Sequence, residues 1–333
     1  MAEKMQITIV GLGLIGASAG LALKKYREKV VIVGHDKNMT LAGQARKLGA
    51  VDRTEWNLIN ATRGADRILL AVPPEEVHST LEVIKEDLKD GCVIIDTASV
   101  KSQVLTWAAE LLPASAGLVG GHPIFVSDNY DPAAARADLF DHKIFCLVSG
   151  ARTSSSAVQI ATDLIEALGA QPFFIDAAEH DGLAAGVEHL PAILAGALAR
   201  ATSASPAWKE MRKLAGSQFY ANTFLVEGDP QAAADGCLAN AQNTLRWLDA
   251  YIAELGQWRA RVAAGDREGL AKDFEAGITA TLKWAQAQET GNWEESQSEP
   301  VENLSMGSQF RRMLGLGGRL PRGEQKPGSQ RGK

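Results

Sequence analysis

Residues 7–24 read ITIVGLGLIGASAGLALK, and this stretch decides the fold of the first half of the chain. An apolar run ends at Val10 and is followed by Gly11, Gly13 and Gly16, which have the spacing G-x-G-x-x-G. The first glycine permits a tight turn, the second lets a pyrophosphate approach the backbone, and the third lets a helix pack closely against the strand. The stretch therefore predicts a strand, a phosphate-binding turn and the beginning of a helix.

A second apolar run, 30–34, follows at the distance of a βαβ unit and leads to Asp36, 20 residues after Gly16. A carboxylate at this place accepts hydrogen bonds from the ribose hydroxyls of an adenosine. It also repels a 2′-phosphate, so we expect NAD rather than NADP, a preference that the neighbouring Lys37 softens. The predicted cofactor contacts are Gly11, Gly13, Leu14, Ile15, Gly16, Asp36, Val72 and Pro73.

The same region has a competing interpretation as a membrane span or a secretion signal. Residues 5–23 carry no charge and are long enough for a span. The glycines and the polar residues Gln6, Thr8 and Ser18 make it a poor span. Neither alternative explains the β-branched run that follows, so the nucleotide site is the favoured interpretation and no membrane partner is expected.

The composition is that of a soluble globular protein with room for two domains. The chain has 333 residues, of which 46% are hydrophobic and 22% charged. A net charge of −6 argues against nucleic acid as the main partner. Cys92, Cys146 and Cys237 lie far apart and show neither metal spacing nor a disulfide framework. A cytoplasmic protein without a metal is expected.

Strand and helix signals alternate through residue 176. This pattern predicts an α/β fold in which residues 1–176 form a Rossmann-type, doubly wound parallel sheet covered on both faces. The further predicted strands are 68–72, 92–96, 118–119, 143–148 and 172–175, and the predicted helices are 39–48, 75–88, 104–112 and 155–168. The loops that follow Val10, Val72, Asp96 and Val119 are expected to face one cleft, because ligands bind beyond the carboxyl ends of such strands.

Residues 177–293 carry helical signals only and predict an all-helical second domain. Apolar residues recur at helical spacing between Leu183 and Leu198, where Pro191 is expected to kink the helix. A narrow apolar seam runs from Leu238 to Leu255 and predicts a homodimer through this domain. Residues 294–333 are basic and expected to be disordered, with 309–316 either a short docking segment or solvated chain.

Two polar stretches are candidates for chemistry in the predicted cleft. The first, 96–101, reads DTASVK at the end of a predicted strand. The second places His122 between a double glycine and Pro123, in what is expected to be a constrained loop. A histidine presented in this way can accept a proton near neutral pH. The alternative is a loop histidine bonded to a backbone carbonyl.

Seven motifs, together with Asn240 ahead of the apolar seam, carry a family resemblance over residues 5–290. They are GLGLIGASAGLALK at 11–24, VGHDKN at 33–38, LLAVP at 69–73, DTASVKS at 96–102, GGHPI at 120–124, EHD at 179–181 and HLP at 189–191. With them the sequence resembles the prephenate/arogenate dehydrogenase family of tyrosine biosynthesis. The resemblance implies oxidative decarboxylation of a cyclohexadienol, with hydride transfer to the nicotinamide. It also implies that His122 helps to remove the proton of the ring hydroxyl and that Ser99 bonds the same hydroxyl or the histidine.

The sequence departs from the family pattern where a substrate is held. The common SHLPH appears as EHLPA at 188–192, and FRDxxR appears as FYANTF at 219–224, so Tyr220 and Phe224 replace both arginines. The loop 125–131 is also bulkier than in the family. The residues expected to contact the substrate are Lys101, His180, His189 and Tyr220. A helix-entry role for His180 and an interior position for His189 are the alternatives, and Arg136, Arg200, Arg212 and Lys213 are further candidates for a carboxylate anchor.

Four other functions compete with this interpretation. β-Hydroxyacid dehydrogenases share the layout but use a lysine early in the helical half, where this chain has none between Lys143 and Lys209. Imine reductases related to pyrroline carboxylate reductase leave His122 unexplained. A nucleotide-binding protein with a decayed substrate site accounts for the missing arginines. A related dehydrogenase of a different small acid is also compatible with the motifs.

Overall fold

The computed structural model describes residues 4–125, 132–223 and 230–293. The expectations for the tail 294–333 with its segment 309–316, for Phe224 and for loop residues 126–131 fall outside the described residues. The chain forms two compact units, divided between Arg259 and Ala260, and each is described by itself. The division predicted at residue 176 stays a prediction.

The first unit is built on one eight-stranded sheet, in the order β3-β2-β1-β4-β5-β6-β7-β8. Its strands are β1 Met5–Val10, β2 Val30–His35, β3 Arg53–Thr54, β4 Arg67–Leu70, β5 Val93–Asp96, β6 Gly117–Pro123, β7 Ile144–Ser149 and β8 Gln171–Phe174. All neighbouring pairs are parallel except β6 and β7. The predicted fold class, a mostly parallel α/β sheet followed by helices, is confirmed.

The described residues also form helices, some of which cover the sheet of the first unit. They are α1 Leu14–Leu23, α2 Met39–Leu48, α3 Leu58–Thr62, α4 Pro74–Ile84, α5 Ser102–Leu111, α6 Ser155–Ala167, α7 Ala177–Ala184, α8 Leu190–Ser203, α9 Trp208–Leu214, α10 Ser217–Thr223, α11 Pro230–Ala239, α12 Ala241–Ala264 and α13 Arg267–Thr290. Among the described residues, no strand follows residue 174. The change from alternating elements to helices alone is therefore where the sequence predicts it.

The core occupies both faces of the sheet, as expected for strands buried on two sides. Successive residues of a strand point to opposite faces. Leu69 in β4 accordingly joins one apolar cluster, while its neighbours Ile68 and Leu70 join the other. The first cluster includes helices α1 and α6, and the second includes helices α4 and α5.

One prediction about the sheet is wrong, and it concerns the histidine. Residues 120–123 lie in strand β6 and not in a loop, because β7 runs back antiparallel and pairs His122 with Cys146. Local sequence signals end at Val119, where the apolar run meets two glycines. The added strand length comes from a partner that follows more than 20 residues later.

A π-helical turn, Ala185–His189, joins α7 to α8 just before Pro191, where the sequence predicts a kink. The backbone N–H of Leu190 donates to the carbonyl of Ala185 and closes this wider turn. Proline has no N–H and disturbs the preceding turn of a helix. By length and composition alone the continuous stretch Ala177–Ser203 could cross a membrane, but it carries the acidic and histidine side chains of the site described below.

The second unit consists, in its described part, of the end of α12 and helix α13. Asp266 caps α13 by accepting a hydrogen bond from the backbone N–H of Gly269 at 2.9 Å. Arg261 pairs with Asp266 at 3.1 Å and with Asp273 at 2.6 Å. These local contacts stabilise the turn between the two helices.

Two helical glycines test how closely α1 packs against the segment that follows α2. A Cβ at Gly20 in α1 would lie 2.2 Å from the carbonyl oxygen of Ala50, whereas a Cβ at Gly43 in α2 meets nothing within 4 Å. We expect Gly20→Ala to lower the free energy of unfolding by about 1–3 kcal/mol through overpacking. Gly43→Ala should raise it by about 0.5–1 kcal/mol through helix propensity. Urea unfolding followed by circular dichroism measures both, and equal effects would contradict the close packing of Gly20.

Candidate active site

The glycine turn after β1 has the geometry of a phosphate-binding turn. Gly11 adopts a φ of +89°, and a Cβ there would lie 2.2 Å from the carbonyl oxygen of Ala71. A Cβ at Gly16 would lie 1.9 Å from the carbonyl oxygen of Gly11. Gly13 has open space in front of it, and no side chain caps the N-terminus of α1. The N–H groups of Leu14 and Ile15 at this uncapped helix end are therefore available to bind a pyrophosphate.

Asp36 lies beside this turn at the end of β2. Its Oδ2 accepts a hydrogen bond from the backbone N–H of Leu12 at 2.7 Å, and its Oδ1 accepts one from Asn38 at 2.7 Å. Lys37 points instead to Glu76 in the first turn of α4 and forms an ion pair with it. That carboxylate raises the pKa of Lys37. The carboxylate of Asp36 is thus held at the turn, and the charge of Lys37 is offset.

A buried ion pair lies at the end of strand β5, which is separated from β1 by β4 in the sheet. Lys101 and Asp96 form this pair, and neither side chain has exposed surface. Burial lowers the pKa of Lys101, and the carboxylate of Asp96 opposes that shift. Lys101 Nζ also donates to the carbonyl of Gly121 at 2.6 Å, and Asp96 Oδ1 accepts from the N–H of Gly121 at 3.1 Å. The pair therefore holds both polar groups of the residue before His122.

Both ring nitrogens of His122 have a partner. Nδ1 lies 3.0 Å from Nε2 of His180, and Nε2 lies 3.1 Å from Oε1 of Glu188. The ring of His122 is largely buried, and it meets the ring of His180 edge to face. His122 is therefore part of a cluster of side chains rather than bonded to a carbonyl, and the alternative of a loop histidine does not hold.

His180 is in turn bonded to the residue that follows it. Its Nδ1 lies 2.9 Å from Oδ1 of Asp181. Asp181 also accepts from the backbone N–H groups of Lys101 at 2.7 Å and Ser102 at 2.9 Å, which begin helix α5. Burial acts to raise the pKa of Asp181, but the hydrogen bonds from His180, Ser102 and Lys101 outweigh it and lower the pKa. The structure therefore brings the motif at 179–181 to the end of the DTASVK stretch.

Glu188 is the residue that the sequence interpretation missed. It lies on the π-helical turn, and its side chain keeps 34% of its surface exposed. Burial acts to raise its pKa, and the contact with His122 outweighs this and lowers it. The sequence alone contains a signal for Glu188, because this glutamate occupies the position where the family pattern has serine. A π-helical turn often marks a functional site, and here it aims the carboxylate at His122.

The other predicted substrate residues are less clearly placed. His189 is buried with Nδ1 3.4 Å from the hydroxyl of Thr244, and its Nε2 has no partner in the described structure. Burial lowers the pKa of His189. The half-buried Ser99 makes no hydrogen bond to a described residue, and Tyr220 is 60% exposed on α10. The substrate roles of His189, Ser99 and Tyr220 stay predictions.

Lys101 is also predicted to contact the substrate, but its ammonium group is occupied by Asp96 and Gly121 and is unavailable to a substrate.

Within the part of the chain that the structure describes, no hydrogen bond or ion pair joins another lysine or arginine to His122, His180 or Glu188. Arg136 is 3.7 Å from Asp138, and Lys213 is 2.6 Å from Glu210. Among the described residues, the hydrogen-bonded cluster thus includes the carboxylates of Asp181 and Glu188 and no lysine or arginine side chain.

Comparison with known proteins identifies the family. The nucleotide-binding domain of prephenate dehydrogenase matches residues 19–173, and the dimerization domain of prephenate dehydrogenase matches residues 176–276. The chain belongs to the prephenate dehydrogenase family. It is a dehydrogenase, and the prediction of this family from the motifs is confirmed.

Similar proteins extend over most of the chain. Prephenate dehydrogenase of Bacillus subtilis is 30% identical over 290 residues, covering 85% of this chain and 78% of that protein. Cyclohexadienyl dehydrogenase of Zymomonas mobilis is 32% identical over 279 residues, covering 83% of this chain and 94% of that protein. The crystal structure of prephenate dehydrogenase from A. aeolicus has a TM-score of 0.77 at 21% identity, covering 84% of this chain and 98% of that one.

The buried ion pair next to His122 predicts a large loss on removing one partner. We expect Lys101→Met to lower the free energy of unfolding by about 3–5 kcal/mol, because Asp96 is left buried and unpaired. Lys89→Met, which breaks the exposed Lys89–Asp66 pair, should cost less than about 1 kcal/mol. Denaturant unfolding compares the two variants. Equal losses, or no recovery in the double variant Asp96→Asn/Lys101→Met, would contradict this role of the pair.

Proposed function

We propose that this protein uses NAD to decarboxylate prephenate or arogenate oxidatively, a step of tyrosine biosynthesis. The observation that carries the proposal is the position of His122 at the same edge of the sheet as the glycine turn. Strands β1, β4, β5 and β6 are adjacent and parallel, so their carboxyl ends meet at this edge. Gly11 follows the first of them, and His122 lies near the end of the last.

NAD is supported as the cofactor by the residues of the turn. The open N-terminus of α1 would receive the pyrophosphate, and Asp36 would receive the ribose hydroxyls. The A. aeolicus relative was crystallised in complex with NAD+ and hydroxyphenyl propionate. When bound, NAD+ supplies an acceptor for the hydride that leaves the carbinol carbon. Asp36 and the offset charge of Lys37 both disfavour a 2′-phosphate, and so NADP.

His122 supplies the proton acceptor in this proposal. Its Nε2 takes the proton of the ring hydroxyl as the hydride leaves, which prevents a positive charge from building up on that oxygen. The ring carboxylate then leaves as carbon dioxide, and its bonding electrons make the ring aromatic. The product is a phenol, neutral at pH 7 because its pKa is near 10. His122 therefore returns the proton to the same oxygen, and no proton is released overall.

The activity assay tests this proposal directly. We expect purified protein with NAD and prephenate or arogenate to form reduced cofactor, measured by absorbance. His122→Asn should lower kcat by about 10²–10⁴-fold and leave the Kd of NAD nearly unchanged, since the base acts only in the chemical step. His142→Asn is a matched control, because His142 is exposed at a φ of 59°, which asparagine tolerates.

Each other outcome of this assay removes part of the proposal. Unchanged turnover of His122→Asn would exclude this histidine as the base. A kcat/KM at least tenfold higher with NADP would exclude the role given to Asp36. No reduction with either substrate would favour a different small acid or a decayed substrate site, and reduction of NAD by another small acid would support the first of these over the second.

We further propose a cytoplasmic homodimer that forms through the helical half. Its three cysteines are free, which suits a reducing compartment. On α12 the apolar seam is exposed, with Leu245 at 58%, Ile252 at 62% and Leu255 at 50% of their surface. The family domain that matches this region is described as a dimerization domain. An exposed apolar face of this kind is typical of a surface that a second copy covers.

Light scattering at micromolar concentration measures this state. We expect a mass twice the 35.5 kDa of the chain. Ile252→Glu should yield monomers, because it places a charge on the apolar seam of α12. Val83→Glu is the control, since Val83 is an exposed apolar residue on α4 and lies outside the proposed face. A monomeric wild-type protein would contradict the dimer.

A further inference from the structure

Hydrogen bonds within the cluster around His122 determine which of its nitrogens carry a proton. The carboxylate of Asp181 fixes the first of these protons. Backbone N–H groups donate only, so Lys101 and Ser102 make both oxygens of Asp181 acceptors. A carboxylate that accepts three hydrogen bonds is ionised and has no proton to give. The contact of 2.9 Å with Nδ1 of His180 therefore requires a proton on that nitrogen.

The tautomer of His180 then decides that of His122. A neutral imidazole has one N–H and one bare nitrogen. With the proton of His180 on Nδ1, its Nε2 is an acceptor and needs a donor. Among the described residues, the nitrogen in place is Nδ1 of His122 at 3.0 Å, which must carry the proton of that ring. The bare lone pair of His122 is thereby on Nε2.

Glu188 shows where this lone pair points. Three successive hydrogen-bond contacts link four side chains, in the order Asp181, His180, His122 and Glu188. Each of these contacts needs one shared proton. Two neutral imidazoles provide only two protons, so the contact with Glu188 forms only when the cluster holds one more. A ring hydroxyl of the substrate that takes the place of Glu188 supplies the proton for the contact with Nε2 of His122. The two protons of the neutral imidazoles are then enough for the other two contacts. The partly exposed side chain of Glu188 has solvent to move into.

We propose that His180, held by Asp181, is a positioning residue that fixes His122 as the Nδ1–H tautomer and so makes Nε2 its basic nitrogen. The place of Glu188 Oε1 in the structure then marks the place of the substrate hydroxyl. This inference rests on the proposed role of His122 as the base, but its first step concerns protons in the protein alone. The same logic operates in catalytic triads, where a carboxylate sets the histidine tautomer.

Nitrogen NMR of the histidine side chains tests the first step without any substrate. In wild-type protein at a pH where the rings are neutral, we expect Nδ1 protonated and Nε2 bare in both His122 and His180. Spectra of His122→Asn and His180→Gln assign the two rings. A proton on Nε2 of either neutral ring would overturn the inference, whatever the activity.

Two variants of His180 test the second step. His180→Phe leaves Asp181 on the N-terminus of α5 but removes the acceptor for His122, so we expect mixed tautomers of His122 and a kcat lowered about 10²-fold or more. His180→Gln offers a carbonyl oxygen to His122 Nδ1 and should recover kcat to within about tenfold of wild type. The Kd of NAD should stay the same in both.

His78→Phe is the matched control, because the ring of His78 meets the ring of Trp107 rather than a member of the cluster, and kcat should stay unchanged. Equal losses in the two His180 variants, with the His122 tautomer unchanged, would reduce His180 to a structural role. If His180→Phe fails to fold, the wild-type spectrum and His180→Gln still decide. A wild-type enzyme with the expected tautomers but no activity would contradict the proposed function and leave the tautomer assignment intact.

Discussion

An ammonium group without exposed surface requires a carboxylate beside it, and Lys101 has Asp96. This pair does more than neutralise two charges, because each partner also bonds the peptide of Gly121. A Cβ at Gly121 would lie 2.4 Å from the carbonyl oxygen of Asp96, so the strands approach as closely as glycine allows. The next residue along β6 is His122. The position of the His122 ring thus depends on the pair of Lys101 and Asp96. Breaking this pair would leave a buried charge without a partner.

A second set of hydrogen bonds joins the helical half of the chain to the sheet near His122. Asp181 on α7 caps the N-terminus of α5, where two N–H groups and the positive end of the helix dipole favour a carboxylate. Its backbone carbonyl accepts from Asn240 at 2.7 Å, and the carbonyl of Gly182 accepts from Trp247 at 2.9 Å. Residues up to 80 positions apart in sequence are therefore joined at one capped helix end. The histidines receive their orientation from this junction.

Local signals predicted the elements that depend on local chemistry. Helix α2 is predicted and observed at 39–48, because Asn38 caps it and Gly49, at a φ of +72°, ends it. The turn at 11–16 and Asp36 belong to one βαβ unit and were found together. The strand position of His122 was missed, since its length comes from pairing with β7 rather than from its own residues. Glu188 was overlooked because a glutamate on a helix most often faces solvent.

By itself, the sequence determined the α/β class, the dinucleotide turn and the family, and it selected His122 as the candidate base. Each of these depends on residue types at short spacing, which a linear pattern records. Only the tertiary structure decided that Lys101 is buried with Asp96, that His180 and Glu188 take the two nitrogens of His122, and that Asp181 begins the row. The reason is physical: a hydrogen bond needs two groups within about 3 Å. In this site those groups come from β5, β6, α7 and the π-helical turn, which only folding brings together.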